Sequence, residues 1–159
     1  CNCEEKKIMG KTCALTGHRD LPFDFDKKAL CDALEKLILD GYDRFLGGMA
    51  RGFDLVAFEC LVHLKKKYPI SFIACIPFAG QSNKMSLEER KLYKKVLDAC
   101  DEKKVLFERY ETGCFLVRDR YMVDRADLVF AYCTRETGGT AYTVDYAKRK
   151  GIGVVYLGR

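Results

Sequence analysis

The alternation of short apolar runs with amphipathic helical segments is the feature that most restricts the fold of this chain. The run over 70–76 is nearly continuous in apolar residues, which is typical of a strand buried on both faces of a parallel sheet. The segment over 27–39 instead places Leu30, Leu34 and Leu37 on one helical face. The sequence predicts strands over 11–16, 44–46, 70–76, 104–107, 128–133 and 152–157, with one helix in each interval between them.

This order of elements predicts an α/β fold with three layers. Strands that alternate with helices form a mostly parallel sheet of about six strands, joined by right-handed crossovers, with helices on both faces. A chain of 159 residues, 48% of them hydrophobic, is long enough for one domain with a sizeable core. We therefore expect a single domain over 11–159, preceded by a flexible leader over 1–10.

The composition also excludes several classes of protein. No apolar run approaches the roughly 18 residues of a membrane span, and the polar start lacks the apolar centre of a secretion signal. The chain has nine cysteines, an odd number, and no Cys-x-x-Cys motif; Cys13, Cys60, Cys75 and Cys133 lie inside apolar runs. This pattern predicts reduced thiols and no metal site. The sequence thus predicts a cytoplasmic protein that does not associate with membranes.

The first strand ends in Thr16-Gly17-His18-Arg19, a set of small, polar and cationic residues. Gly17 permits a sharp turn or the close approach of a ligand, and Arg19 offers a planar set of donors suited to phosphate or carboxylate. In open α/β sheets, ligands bind beyond the carboxyl ends of the strands. The alternative interpretation is an ordinary turn with a solvated arginine.

Two further junctions between a strand and a helix carry paired glycines, Gly47-Gly48 and Gly138-Gly139. Such junctions can bind phosphate through backbone N–H groups at a helix N-terminus. Their spacing matches neither the Rossmann dinucleotide fingerprint nor a P-loop, so tight turns remain an alternative. Asp54, at the start of the second helix, is interpreted as a helix cap or as a ligand for a hydroxyl group, with the cap favoured.

Taken together, the three junctions predict one crevice for a ligand that carries phosphate. The net charge of +5 allows an anionic ligand but includes no dense basic tract, which makes a nucleic-acid partner a poor fit. The apolar helix face of Leu116, Val117 and Tyr121 fits either the core or a homo-oligomer interface, and the core is the default interpretation.

The series of motifs resembles the YpsA-like branch of the SLOG superfamily, which also holds the DprA and LOG proteins. The most specific segments are the opening Thr-Gly-His-Arg over 16–19 and the closing Gly-Gly-Thr-Ala-Tyr-Thr-Val over 138–144. The resemblance implies a Rossmann-like fold and a pocket for a nucleotide or a nucleotide-derived ligand. The candidate ligand-binding residues are Thr16, Gly17, His18, Arg19, Gly47, Gly48, Met49, Gly52, Asp54, Pro77, Phe78, Gln81, Arg118, Asp124, Gly138, Gly139, Thr140 and Thr143.

Two departures from known patterns bear on function, one from the YpsA-like branch and one from the LOG enzymes. The family's usual Arg-Asn is Arg118-Asp119 here, which replaces an amide by a group that only accepts hydrogen bonds. The LOG enzymes, which release the base from nucleoside monophosphates, have a Glu where this chain has Asp145. A binding or sensing domain is therefore the first hypothesis. A LOG-like hydrolase using Arg118, Asp124 or Asp145 is the second, and DprA-like binding of single-stranded DNA is the third.

Overall fold

A computed structural model describes residues 10–158 of the protein. Within these residues, six parallel strands form one sheet in the order β4-β3-β2-β1-β5-β6. The strands are β1 (Lys11–Gly17), β2 (Tyr42–Gly47), β3 (Ser71–Phe78), β4 (Glu102–Phe107), β5 (Leu128–Tyr132) and β6 (Gly153–Tyr156). The helices are α1 (Lys27–Leu39), α2 (Phe53–Leu64), α3 (Leu87–Ala99), α4 (Cys114–Asp124) and α5 (Gly139–Arg149). The predicted Rossmann-like, three-layer α/β fold is confirmed, while residues 1–9 of the predicted leader lie outside the described part of the chain.

The two faces of the sheet bury two separate apolar clusters. Cys13 and Leu15 of β1 face the first cluster, where buried side chains of α1, α2 and α3 cover the sheet. Ala14, between them in sequence, faces the second cluster under α4 and α5. This alternation follows from the two-residue period of a strand, and it fixes the register of β1 because both faces are buried.

Local sequence signals fix two of the helix starts. Ser86 and Glu89 form a capping box at the start of α3, each side chain bonding to the other's backbone N–H. The Asp26 carboxylate accepts the N–H of Ala29 and so caps α1. The start of each of these two helices is thus determined by a hydrogen bond between residues three positions apart.

The order of the strands creates a topological switch point at β1. From β1 the chain proceeds outward through β2, β3 and β4, and then returns to place β5 on the other side of β1. Gly17 at the end of β1 pairs with Tyr132 at the end of β5. The connections after these two strands lead to helices on opposite faces of the sheet, which leaves a crevice at its carboxyl edge.

The expectation of reduced thiols is wrong for one pair of cysteines. Cys31 of α1 and Cys60 of α2 form a disulfide, with their Cα atoms 5.5 Å apart. The two helices pack side by side on one face of the sheet, which brings together residues 29 positions apart in the sequence. Separately, none of the helices within residues 10–158 has the length and apolar character needed to span a membrane.

Candidate functional site

A cavity of about 340 Å³ lies at the switch point, beyond the carboxyl ends of the strands. Its walls come from the end of β1, the loop before α2, the first half of α4 and the N-terminus of α5. The sequence-predicted residues that line it are Thr16, Gly17, His18, Arg19, Asp54, Arg118, Gly138, Gly139 and Thr140. Segments far apart in the chain therefore meet around one cavity.

Three glycines beside this cavity are required by the packing of the protein itself. A Cβ atom on Gly17 would collide with the ring of Phe53, and one on Gly48 would collide with the guanidinium of Arg118. At Gly52 the added atom would collide with the backbone carbonyl of Arg19, and φ is +80°. The glycines of this half of the site thus permit close packing of the protein against itself.

Arg118 forms the floor of the cavity and is almost completely buried. Its Nη1 donates to the carbonyl oxygen of Gly48 at 2.6 Å, and its Nε donates to Asp119 Oδ1 at 2.7 Å. The departure from the family pattern at Asp119 therefore supplies a buried carboxylate that compensates the charge of the arginine. Because a buried charge is costly unless it is paired, this ion pair is part of the fold as well as of the site.

Asp54 is the second buried carboxylate that lines the cavity. The favoured prediction of a helix cap is wrong, because Gly52 is the N-cap residue of α2 and Asp54 accepts the N–H of Ala50 in the preceding loop, at 3.2 Å. Burial raises the pKa of Asp54 to about 6, although the nearby charge of Arg118 partly offsets this. The carboxyl group therefore titrates close to neutral pH.

His18 connects the ends of β1 and β5 across the switch point. Its Nε2 accepts the N–H of Thr134 at 2.8 Å, which requires that nitrogen to be unprotonated. Burial, and to a smaller extent the charge of Arg135, lowers the pKa of His18. The imidazole is therefore held in its neutral form and positions both loops beside the cavity.

The N-terminus of α5 forms the opposite wall and is built differently. Gly138 is its N-cap residue with φ of 103°, and Gly139 is the first residue of the helix. Within the described part of the chain, and apart from the adjacent residues and the backbone of α5 itself, no heavy atom lies within 4 Å of a Cβ placed on either glycine. The exposed side chain of Arg135 also lines the cavity here, which adds a cation beside the free N–H groups of the helix.

A second cavity, of about 530 Å³, adjoins the first. The two share Arg19, Ala50, Arg51 and Phe115 among their lining residues. The predicted residues Phe78 and Gln81 line this second cavity. The Gln81 amide donates to the carbonyl of Gly48 at 3.1 Å, so Gln81 also connects the two parts of the site.

The remaining candidates line neither cavity. The Thr143 hydroxyl donates to the carbonyl of Gly139 at 2.9 Å, and Gly47, Met49 and Pro77 are buried in the surrounding structure. Asp124 and Asp145, which the hydrolase hypothesis required, lie on the surface. Asp124 is the last residue of α4, and its carboxylate accepts a hydrogen bond from the Tyr146 hydroxyl at 2.7 Å. Because helices that connect parallel strands run from the carboxyl edge of the sheet toward its amino edge, Asp124 lies away from the cavity.

Comparison with known proteins agrees with this geometry. The model of the YspA SLOG family, named YpsA, matches residues 15–153. The chain belongs to this family. An uncharacterised SPbeta prophage-derived protein of Bacillus subtilis, YoqJ, is 30% identical over 141 residues, covering 80% of this chain and 82% of that protein.

Solved structures place this SLOG protein among related folds. DNA processing protein A (DprA) from Streptococcus pneumoniae matches with a TM-score of 0.69 at 16% identity, over 94% of this chain. The SLOG chain spans only 50% of the length of that DprA chain. The molybdenum cofactor binding protein of Rippkaea orientalis matches with a TM-score of 0.60 at 18% identity, over 94% of this chain and 77% of that one. At these identities, the comparison shows a shared fold.

The list of candidate residues missed several that surround the cavities of this SLOG protein. Arg51, Asp119 and Arg135 line the first cavity, and Tyr110 and Phe115 line the second. The first three stand inside or beside the motifs that drew attention to the site, so proximity to a motif was an available signal. Tyr110 and Phe115 flank a loop without any such motif, and only the packing of the chain reveals them.

Proposed function

We propose that this protein binds a nucleotide or a nucleotide-derived ligand, with a phosphate group of the ligand at the N-terminus of α5. The observation that carries the proposal is the unfilled space around Gly138 and Gly139, in contrast to the filled space around the other glycines of the site. Free backbone N–H groups at a helix N-terminus, combined with room for close approach, suit an anionic oxygen.

The distribution of charge supports an anionic ligand at the rim of the cavity. On the floor, the charge of Arg118 is compensated by Asp119 and by Asp54 when that group is ionised. At the rim, Arg19 and Arg135 are exposed. Attraction for phosphate therefore comes from the rim and from the helix, whereas the floor gives the cavity its shape.

The cavity also has a suitable size and position. About 340 Å³ lies at the lower end of the volumes of small-molecule sites, and it occupies the switch point where open α/β sheets bind their ligands. The structural neighbour from Rippkaea orientalis is described as binding a molybdenum cofactor, which supports binding of a small cofactor-like molecule by this fold.

A ligand screen with a matched pair of variants tests the proposal. We expect nucleoside mono- and diphosphates, cyclic nucleotides, ADP-ribose or NAD to raise the melting temperature, because a ligand that binds only the native state stabilises it. Arg135→Gln should weaken binding of the best ligand about five- to tenfold, consistent with loss of one charge-assisted hydrogen bond. Arg90→Gln, an exposed arginine of α3 that lines neither cavity, is the control and should leave the affinity unchanged.

Two results would contradict the proposal. The first is the absence of any shift with all of these compounds. The second is a salt-sensitive gel shift with single-stranded DNA and no binding of nucleotides, which would favour the function suggested by the structural likeness to DNA processing protein A. Mass spectrometry of small molecules released from the purified protein gives an independent identification of the ligand.

Asp54 supports a second candidate function, hydrolysis of an N-glycosidic bond. A buried carboxyl group with a pKa near 6 that faces a ligand cavity is suited to proton transfer at neutral pH. This assignment moves the acid–base role from Asp124 and Asp145 to Asp54. Release of free base from a nucleoside monophosphate, abolished in Asp54→Asn, would support hydrolysis, and bound nucleotide that remains intact would exclude it.

A further inference from the structure

We propose that the second cavity binds the planar heterocyclic ring of the same ligand whose phosphate occupies the first cavity. This inference rests on the proposed function and extends it to the class of ligand. The ligand would carry a base joined through a sugar to phosphate, with the base among aromatic side chains of the second cavity.

Three aromatic side chains form one wall of the second cavity. The ring of Phe78 lies 5.6 Å from that of Tyr110 and 6.0 Å from that of Phe115, measured between centroids. Tyr110 and Phe115 are 6.2 Å apart. Tyr110 remains 59% exposed, so a large aromatic surface faces solvent beside the cavity. A planar ring that covers this surface would gain stacking contacts of the kind that bind nucleic-acid bases.

Cationic groups surround the aromatic wall. The guanidinium of Arg19 lies over the ring of Phe115, with Cζ 4.4 Å from the centroid. Arg51, Lys84 and Arg109 also line the second cavity. This combination of aromatic faces and cations suits a ring system attached to an anionic chain and is poorly suited to an uncharged apolar molecule.

The two cavities are continuous at the residues that a bridging ligand would need. Arg19 and Phe115 line both, with Arg19 at the rim of the phosphate cavity and Phe115 in the aromatic wall. A ligand with phosphate at α5 and a ring at Tyr110 would therefore pass beside Arg19 and Phe115. The volume of about 530 Å³ is sufficient for a heterocyclic base and its sugar.

The test separates the contribution of the ring from that of the phosphate. Titration calorimetry would compare adenosine and guanosine 5′-monophosphates with ribose 5-phosphate on the full chain. We expect the better nucleotide to bind at least tenfold more tightly than ribose 5-phosphate, consistent with the measured contribution of base stacking on aromatic side chains.

Substitutions of Tyr110 locate the ring. Tyr110→Leu keeps an apolar side chain without a stacking face and should weaken nucleotide binding about tenfold, while leaving ribose 5-phosphate binding unchanged. Tyr110→Phe keeps the ring and should bind nucleotides within about twofold of the wild type, since it retains the stacking face. Phe23→Leu changes an exposed aromatic that lines neither cavity and is the control.

A fluorescent probe provides a direct readout. The chain contains no tryptophan, so the emission of 2-aminopurine riboside 5′-monophosphate can be followed without a tryptophan background. We expect its emission to be quenched by the wild type and by Tyr110→Phe, and much less quenched at saturation by Tyr110→Leu.

The possible failures are distinguishable. If neither the nucleotides nor ribose 5-phosphate bind, the proposed function itself is contradicted. If ribose 5-phosphate binds as tightly as the nucleotides, or Tyr110→Leu weakens both equally, the base subsite alone is overturned. If affinity rises steeply with the length of an oligonucleotide, the occupant is single-stranded nucleic acid and the inference of a small ligand is overturned.

Discussion

The glycines on the two sides of the first cavity differ in their physical role. Beside β1 and α2, the space that a side chain would need at Gly48 and Gly52 is filled by Arg118 and by the backbone of Arg19. At the N-terminus of α5, the same space around Gly139 is open. The first side of the cavity is therefore determined by packing within the protein, and the second leaves room for a molecule from outside.

The arginines around the cavity also differ between its packed side and its open rim. Arg118 is buried and bonded to Asp119 and to Gly48, whereas Arg19 and Arg135 are exposed at the rim. Substitutions on the packed side should consequently alter stability, and substitutions on the open side should alter binding. This difference can be tested at single positions.

The largest effect is expected from Gly52→Ala on the packed side. Alanine would be strained at φ of +80° and would collide with the Arg19 carbonyl. Backbone strain and overpacking together should lower the free energy of unfolding by about 4 kcal/mol, measured by urea denaturation. An unfolding midpoint equal to that of the wild type would show that the loop before α2 can move aside. It would contradict the statement that packing within the protein determines this side of the cavity.

Arg118→Met should lower the free energy of unfolding by about 3 kcal/mol. The substitution keeps a flexible apolar stem but leaves Asp119 without its buried donor, while the Gly48 carbonyl retains only the donor from Gln81. Arg125→Met, an exposed arginine one residue beyond the end of α4, is the control. Similar stability of both variants would indicate that the buried charge pair contributes nothing to the fold.

Asp54→Asn should stabilise the protein in a manner that depends on pH. The pKa of Asp54 is raised from 3.8 to about 6 on folding, so the folded state binds more protons than the unfolded state between these values. The contribution of Asp54 to the stability of the wild type should therefore fall as pH rises from about 4 to 6, by up to about 3 kcal/mol. The asparagine variant lacks this loss, because its amide oxygen can still accept the Ala50 N–H without a charge.

Denaturation curves of both proteins at pH 4 and pH 8 test this prediction. The difference in unfolding free energy should be near zero at pH 4 and should favour Asp54→Asn at pH 8. The His18 imidazole titrates in both proteins, so its contribution cancels in the difference. A difference that does not change with pH would show that Asp54 is not desolvated.

Gly139→Ala should have the smallest effect on stability and a clear effect on binding. The added methyl group meets no described atom within 4 Å and φ requires no glycine there, so the free energy of unfolding should change by less than about 0.5 kcal/mol. The same methyl group would occupy the space proposed for phosphate and should weaken binding of ribose 5-phosphate about tenfold, measured by calorimetry. An unchanged affinity for ribose 5-phosphate would contradict the proposal that the open side of the cavity, at the N-terminus of α5, is where the ligand binds.

The fold was largely predictable because its signals are local. A few consecutive residues are enough to identify a buried strand such as β3 or a capping box such as the one at Ser86. The parallel topology follows from the alternation of strands and helices. The disulfide between Cys31 and Cys60 was not predictable, because nothing near either cysteine indicates which helix packs beside it.

The position of the cavity was predictable, whereas the contacts around it were less so. Gly17 and Gly138, from two separate motifs, line one cavity at the carboxyl edge of the sheet, because the carboxyl ends of parallel strands share one edge. Sequence spacing could not show that Gly48 accommodates Arg118, nor that Asp124 lies beside Tyr146. Those contacts depend on how α4 and α5 pack on the sheet.

The hydrogen bond from the Thr134 N–H to His18 fixes the distance between two loops that would otherwise separate at the switch point. This contact is made entirely by groups of the protein, so it joins the two loops independently of any ligand. A molecule that enters the cavity therefore pays less entropy for ordering the loops at this point.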